Sequence, residues 1–133
     1  MEIEDYDEVI SLWKLCEGVG LSSADTRKSI DSYLKRNPHF SYIARDRSIL
    51  IAAALCGHDG RRGFTHHLAV HPVFQRKGIG RLLVENCLKQ LNKAGIQKCH
   101  LFVFSENESA IFFWKEQKWI ERTELNIMSR NIE

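Results

Sequence analysis

The chain has 133 residues, 44% of them hydrophobic, with 19 Lys and Arg against 17 Asp and Glu and a net charge of +2. That length suits one domain, taken here as residues 1–133, burying about two thirds of its unfolded surface in a single core. Near-neutral charge with scattered basic residues argues against a nucleic-acid module, which carries a much stronger basic stripe.

The N-terminal segment Asp5 to Glu17 places Val9, Leu12, Trp13 and Cys16 at helical spacing, predicting an amphipathic helix that Gly18 and Gly20 end. Ser22 or Ser23 can cap a second helix reaching Arg36. Its narrow apolar face is Ile30, Tyr33 and Leu34, and Asn37-Pro38 stops it. Phe40 to Ala44 reads as a short strand. Ile49 to Cys56 is a nearly continuous apolar run, the pattern of a strand covered on both faces. His58-Asp59-Gly60 then makes a hairpin into the strand Phe64 to Val70. Ile79 to Ala94 carries the clearest helical stripe, closed by Gly95. Lys98 to Phe104 reads as a strand parallel to 64–70, because a helix of that length lies between them. Asn107 to Lys118 predicts a last short helix with adjacent aromatics Phe112, Phe113 and Trp114. The alternation Thr123, Leu125, Ile127, Ser129 predicts one or two antiparallel edge strands.

The four cysteines, Cys16, Cys56, Cys87 and Cys99, have no CxxC spacing and sit in apolar segments, as reduced core thiols do. His39, His58, His71 and His100 show no metal-ligand spacing with them, so no metal is assigned. No apolar run approaches the length of a membrane span, and the charged N-terminus has no signal-peptide pattern. Composition therefore predicts a soluble, cytoplasmic protein with no nucleic-acid or membrane partner, and leaves homodimerisation open.

Chemistry concentrates in Phe64 to Arg81. Pro72 ends the strand, and the loop Gln75-Arg76-Lys77-Gly78-Ile79-Gly80 leads into a helix start, where unpaired N–H groups can receive an anion. A dinucleotide-binding GxGxxG beginning at Gly78 would need glycine where Leu83 stands, and a Walker A loop would need Gly-Lys-Ser/Thr. Neither is present, and a purely structural turn would read much the same. His66 and His67 are the candidate general bases. Strand alternation puts them on opposite faces, so one of them at most would serve.

The segments LAVHPVFQRKGIGRLLVENCL and NESAIFFWKEQKW resemble motifs A and B of the GNAT N-acetyltransferase superfamily, and the similarity extends in weaker detail over almost the whole chain. The Q/R-x-x-G-x-G/A signature is matched at Gln75, Gly78 and Gly80, after a strand ending in Val-x-Pro. The resemblance implies an α/β (α+β) fold with a mixed, mostly antiparallel sheet, a central splayed parallel strand pair and flanking helices. It implies acetyl-CoA as co-substrate, with its pyrophosphate on Gln75, Arg76, Lys77, Gly78, Ile79 and Gly80. Its pantetheine arm would lie beside Leu68, Ala69 and Val70 and reach Asn107, and a backbone amide of Leu68 to Val70 would be the oxyanion donor. The acceptor would be an amine on a small molecule or peptide, acetylated by direct transfer in a ternary complex. Two positions depart from the pattern. Trp114 stands where many members carry a tyrosine that protonates the leaving thiolate, and Lys118 where a glycine is common. An indole N–H is a donor but no useful acid. A catalytically impaired acyl-CoA sensor or interaction module is therefore the competing expectation.

Overall fold

A computed structural model describes residues 1–132. The chain divides into two compact units, one ending at Phe102 and the other beginning at Val103. The first unit contains helices α1 (Tyr6–Leu15), α2 (Arg27–Arg36) and α3 (Ile79–Lys93), with strands β1 (Tyr42–Asp46), β2 (Ile49–His58), β3 (Gly63–Val70) and β4 (Cys99–Leu101). The strand order is β1-β2-β3-β4. The first two pairings are antiparallel and the third, joined through α3, is parallel.

Strand β2 is the centre of the core. Ala53 and Leu55 pack with Val9, Leu12 and Trp13 of α1 and Ile30 of α2. The alternate residues Ala52, Ala54 and Cys56 pack with Leu83, Cys87 and Leu91 of α3. Helices thus cover the sheet from both sides, which is why β2 reads as an unbroken apolar run. Trp13 and Ile30 are almost completely buried; each contributes on the order of 1.5–3 kcal/mol by leaving water. Helix α2 is held more lightly, with Ile30 its one buried residue.

Two capping devices shape the segment before α2. Ser22 and Asp25 form a capping box around a 3-10 turn, Ser23–Asp25, and Thr26 Oγ1 accepts from the Ser29 N–H to start α2. The single helix expected from Ser22 or Ser23 is therefore a turn followed by a helix. Arg45 of β1 reaches Glu8 at 2.9 Å and Asp5 at 3.1 Å, tying β1 to the start of α1.

The β2–β3 ladder is irregular at one point. Leu55 pairs with His67 and Cys56 with Thr65, so His66 is an extra residue without a partner. The parallel ladder to β4 covers Gly63, Phe64 and Thr65 and ends there, whereas β3 runs on to Val70. The parallel pair thus lies at the edge of the described sheet rather than at its centre. Strand β4 is also shorter than the 98–104 expected.

The second unit contains helix α4 (Glu108–Glu116). Trp114 packs edge-on against Phe113 and Trp119, both at 5.1 Å between ring centroids, and Lys115 pairs with Glu121 at 2.9 Å. The edge strands expected over 121–132 are absent: these residues hold no strand and are exposed throughout. Leu125 and Ile127 remain 59% and 66% exposed. Alternation alone does not hold a strand whose backbone groups find no sheet partner.

Candidate active site

The β3–α3 connection is built by local chemistry. Pro72 opens a 3-10 turn, Pro72–Phe74, capped by the His71 ring, whose Nδ1 accepts from the Val73 N–H at 3.2 Å. Gln75 Nε2 then donates to the Val70 carbonyl at 3.0 Å, folding the loop back on the strand end. Arg76 (φ 64°) and Gly78 (φ 82°) both adopt the left-handed conformation on either side of Lys77. Glycine holds this shape without strain; arginine holds it at a cost of about 1–2 kcal/mol.

The helix that follows has no side-chain cap. Its first hydrogen bond runs from the Leu82 N–H to the Gly78 carbonyl at 3.1 Å, leaving the N–H groups of Ile79, Gly80 and Arg81 without a protein acceptor among the described residues. Three donors at the positive end of a helix dipole, beside Arg76 and Lys77, form an anion-receptive cradle. Gln75, Arg76, Lys77 and Gly78 are exposed, Ile79 is half-buried and Gly80 is buried.

Strand β3 offers a second set of donors. The His71 N–H donates to the Ile51 carbonyl of β2 at 2.7 Å. Backbone direction alternates along a strand, so the N–H groups of Leu68 and Val70 point to the opposite edge and that of Ala69 points into the sheet. No strand pairs with that outer edge beyond Thr65 among the described residues. Of the three residues expected to supply an oxyanion donor, Leu68 and Val70 have the suitable orientation.

The irregularity at His66 changes the expected placement of the histidines. A bulge breaks strict alternation, and both rings face the α1–α2 side of the sheet. His66 stands edge-on to Tyr33 of α2 at 5.3 Å and stacks on Phe64 at 5.9 Å. His67 stands edge-on to Trp13 of α1 at 4.8 Å. The expectation of opposite faces is therefore corrected. His66 is exposed as a residue, but partial desolvation of its flanked ring, followed by the nearby His67, holds its pKa below the ordinary 6.5. Its ring has no hydrogen-bond partner among the described residues.

His67 differs. Its Nε2 lies 2.8 Å from Asp25 Oδ1, and the two side chains are 13% and 6% exposed. Asp25 Oδ2 accepts from the Ser22 N–H at 2.9 Å, and its backbone carbonyl accepts from the Tyr6 hydroxyl at 2.7 Å. Asp25 is the residue that sequence reasoning missed. Its position three residues after Ser22 signals a capping box, and nothing in the local pattern signals a partner on β3.

The thiols are unsuited to nucleophilic work. The neighbouring Cys87 thiol, more than burial, pushes Cys56 up to about 12; Cys56 also raises Cys99, and burial raises Cys16. All four cysteines are free. Among the described residues no group of three His, Cys, Asp or Glu side chains could hold a metal ion, and no helix is long and apolar enough to cross a membrane. In the second unit Asn107 caps α4, its Oδ1 accepting from the Ala110 N–H at 3.2 Å. That leaves its Nδ2 as the group free to donate.

Comparison with known proteins agrees with this arrangement. The family model "Acetyltransferase (GNAT) family" matches residues 6–119. An acetyltransferase of Pectobacterium atrosepticum is 28% identical over 116 residues, spanning 87% of this chain and 82% of its own. Among solved structures, the ribosomal-protein-S18-alanine N-acetyltransferase of Escherichia coli superposes with a TM-score of 0.75 at 22% identity, covering 92% of this chain and 76% of that one. AAC(6')-Iy, in complex with a CoA-S-monomethyl-acetylneamine bisubstrate analogue, superposes with a TM-score of 0.76 at 18% identity, covering 99% and 95%. The α/β arrangement of a mixed four-stranded sheet with flanking helices is thus a GNAT-like fold. With its family model matched from the first helix to Trp119, the chain belongs to the GNAT acetyltransferase family and is a GNAT N-acetyltransferase.

Proposed function

We propose that the protein transfers the acetyl group of acetyl-CoA directly to a primary amine within a ternary complex. The observation that carries this reading is the uncapped N-terminus of α3, where three free N–H groups follow left-handed Gly78 beside two cations. Gln75 to Gly80 would receive the pyrophosphate. The outward amides of Leu68 and Val70 would polarise the thioester carbonyl, where negative charge develops during attack. A histidine takes the proton of the attacking amine, the C–N bond forms, the C–S pair leaves on sulfur, and the thiolate takes a proton from water.

Trp114 supports a second reading, an acyl-CoA sensor without turnover, because an indole supplies no acid for the leaving thiolate. One experiment separates the two. Acetyl-CoA binding is measured by calorimetry, and release of free CoA thiol is followed with an amine panel that includes an alanine-led peptide and neamine, after the ribosomal-protein-S18 alanine and the acetylneamine named for the two structural neighbours. Amine-dependent thiol release is expected. Tight binding with no acetylated product from any amine establishes the sensor instead.

A further inference from the structure

We propose that His67 is the proton acceptor of this reaction and that buried Asp25 is the residue that positions it, an assignment that rests on the acetyltransferase reading above. The starting point is a charge that burial alone disfavours. A carboxylate taken out of water is retained where it is paired and hydrogen-bonded. Asp25 has both oxygens engaged, Oδ1 with His67 Nε2 and Oδ2 with the Ser22 N–H. No Lys or Arg pairs with it among the described residues, so the His67 ring is its one charge partner.

This pairing decides what the ring can do. An ionised carboxylate only accepts hydrogen bonds, so Nε2 carries the proton toward Asp25 and Nδ1 keeps its lone pair. A proton arriving at Nδ1 makes an imidazolium whose charge faces the carboxylate. His66 lacks such a partner. Its ring lies between Tyr33 and Phe64, where burial and the neighbouring His67 disfavour a positive charge more than Asp25 favours it. The bulge puts both rings on one face, and the partner of His67 distinguishes them. The groups around His67 are Asp25 from the 3-10 turn, uncharged Trp13 from α1 and His66 on its own strand. Tyr6 binds the Asp25 carbonyl, Tyr33 from α2 faces His66, and Cys16 just after α1 donates to the Val70 carbonyl. Asp25 is the one carboxylate in that set. In the transfer step the amine proton moves to Nδ1 as the nitrogen lone pair forms the N–C bond. The C–S pair leaves on sulfur, water protonates the thiolate, and the imidazolium returns its proton to solvent.

The competing account is a clamp that ties the 3-10 turn to β3 and nothing more. His67→Gln separates the two, because a glutamine amide can still donate to Asp25 while offering no base. The expected result is an unfolding midpoint and acetyl-CoA affinity close to wild type and a kcat lower by about 100-fold. Asp25→Asn tests the positioning residue. Its amide oxygen must take the Ser22 N–H, so its NH2 faces Nε2 and drives the ring proton to Nδ1. Imidazole 15N shifts of His67 should report the Nε2–H tautomer in the wild type and the Nδ1–H tautomer in Asp25→Asn, with kcat again lower by about 100-fold. An active wild type whose His67→Gln variant keeps kcat within about threefold overturns the assignment and leaves the acetyltransferase reading standing. So does an Nδ1–H tautomer in the wild type. A wild type that binds acetyl-CoA and acetylates no amine overturns the reading and the assignment together.

Discussion

Charge at the α3 cradle can be tested by comparing Gly78→Ala with Gly78→Asp. Gly78 has φ 82°, and a Cβ there would meet nothing within 4 Å, so both changes fit sterically and both carry the left-handed penalty of about 1–2 kcal/mol. That penalty is present with and without ligand and lowers the unfolding midpoint by a few degrees. The difference between the two variants isolates the new carboxylate. Two unit charges about 6 Å apart interact by about 2.8 kcal/mol at an effective dielectric of 20, and by half that at an exposed loop of twice the dielectric. A pyrophosphate held on the N–H groups of Ile79 to Arg81 should therefore bind about 10- to 100-fold more weakly to Gly78→Asp than to Gly78→Ala. Calorimetry with acetyl-CoA at low and high salt reads this directly, and the gap should narrow as salt screens the repulsion. Equal affinity of the two folded variants at low salt refutes the placement of the pyrophosphate on this loop.

A Cβ on Gly57 would lie 2.4 Å from Tyr33 Oη and 2.5 Å from Asn37 Cγ, so Gly57→Ala should destabilise by about 1–3 kcal/mol in urea titration. The folded pKa of His66 lies below 6.5, so its contribution to stability is complete above 6.5 and lost as pH falls through the folded value. The urea midpoint of His66→Gln should therefore drop less than that of wild type between pH 7.5 and 5.5. Trp114→Tyr should preserve or raise kcat if a missing acid limits turnover; a large loss in a folded variant would assign the indole a packing or binding role instead.

Which parts of the molecule were legible in the sequence depends on how far apart the deciding contacts lie. The anion cradle is written in consecutive residues, because Gly78, the cations beside it and the free N–H groups are all properties of one short backbone segment. The doubly covered β2 was equally readable, since helices on both faces leave no polar alternation. The tail was misread because Leu125 and Ile127 alternate without a strand to pair with. Asp25 was invisible for the opposite reason: its partner is 42 residues away, and its local pattern is fully explained by capping. The histidines read as lying on opposite faces by strict alternation, which holds only while the ladder is regular; one unpaired residue cancels it.

That residue would link the donor and acceptor halves of the proposed site. The parallel ladder to β4 stops at Thr65, immediately before the bulge. A bulge bends and twists the strand that carries it, so a straight parallel partner matched to Gly63, Phe64 and Thr65 cannot follow β3 past His66. Beyond that point no strand pairs with this edge among the described residues, and the amides of Leu68 and Val70 face away from β2. The same extra residue turns His66 and His67 to one face, where Asp25 can engage the second of them. A thioester drawn along this outer edge would thus meet its carbonyl donors on the strand segment that also presents the proposed proton acceptor. The geometry of transfer would be set by the backbone of β3, leaving the first two helices to select the amine.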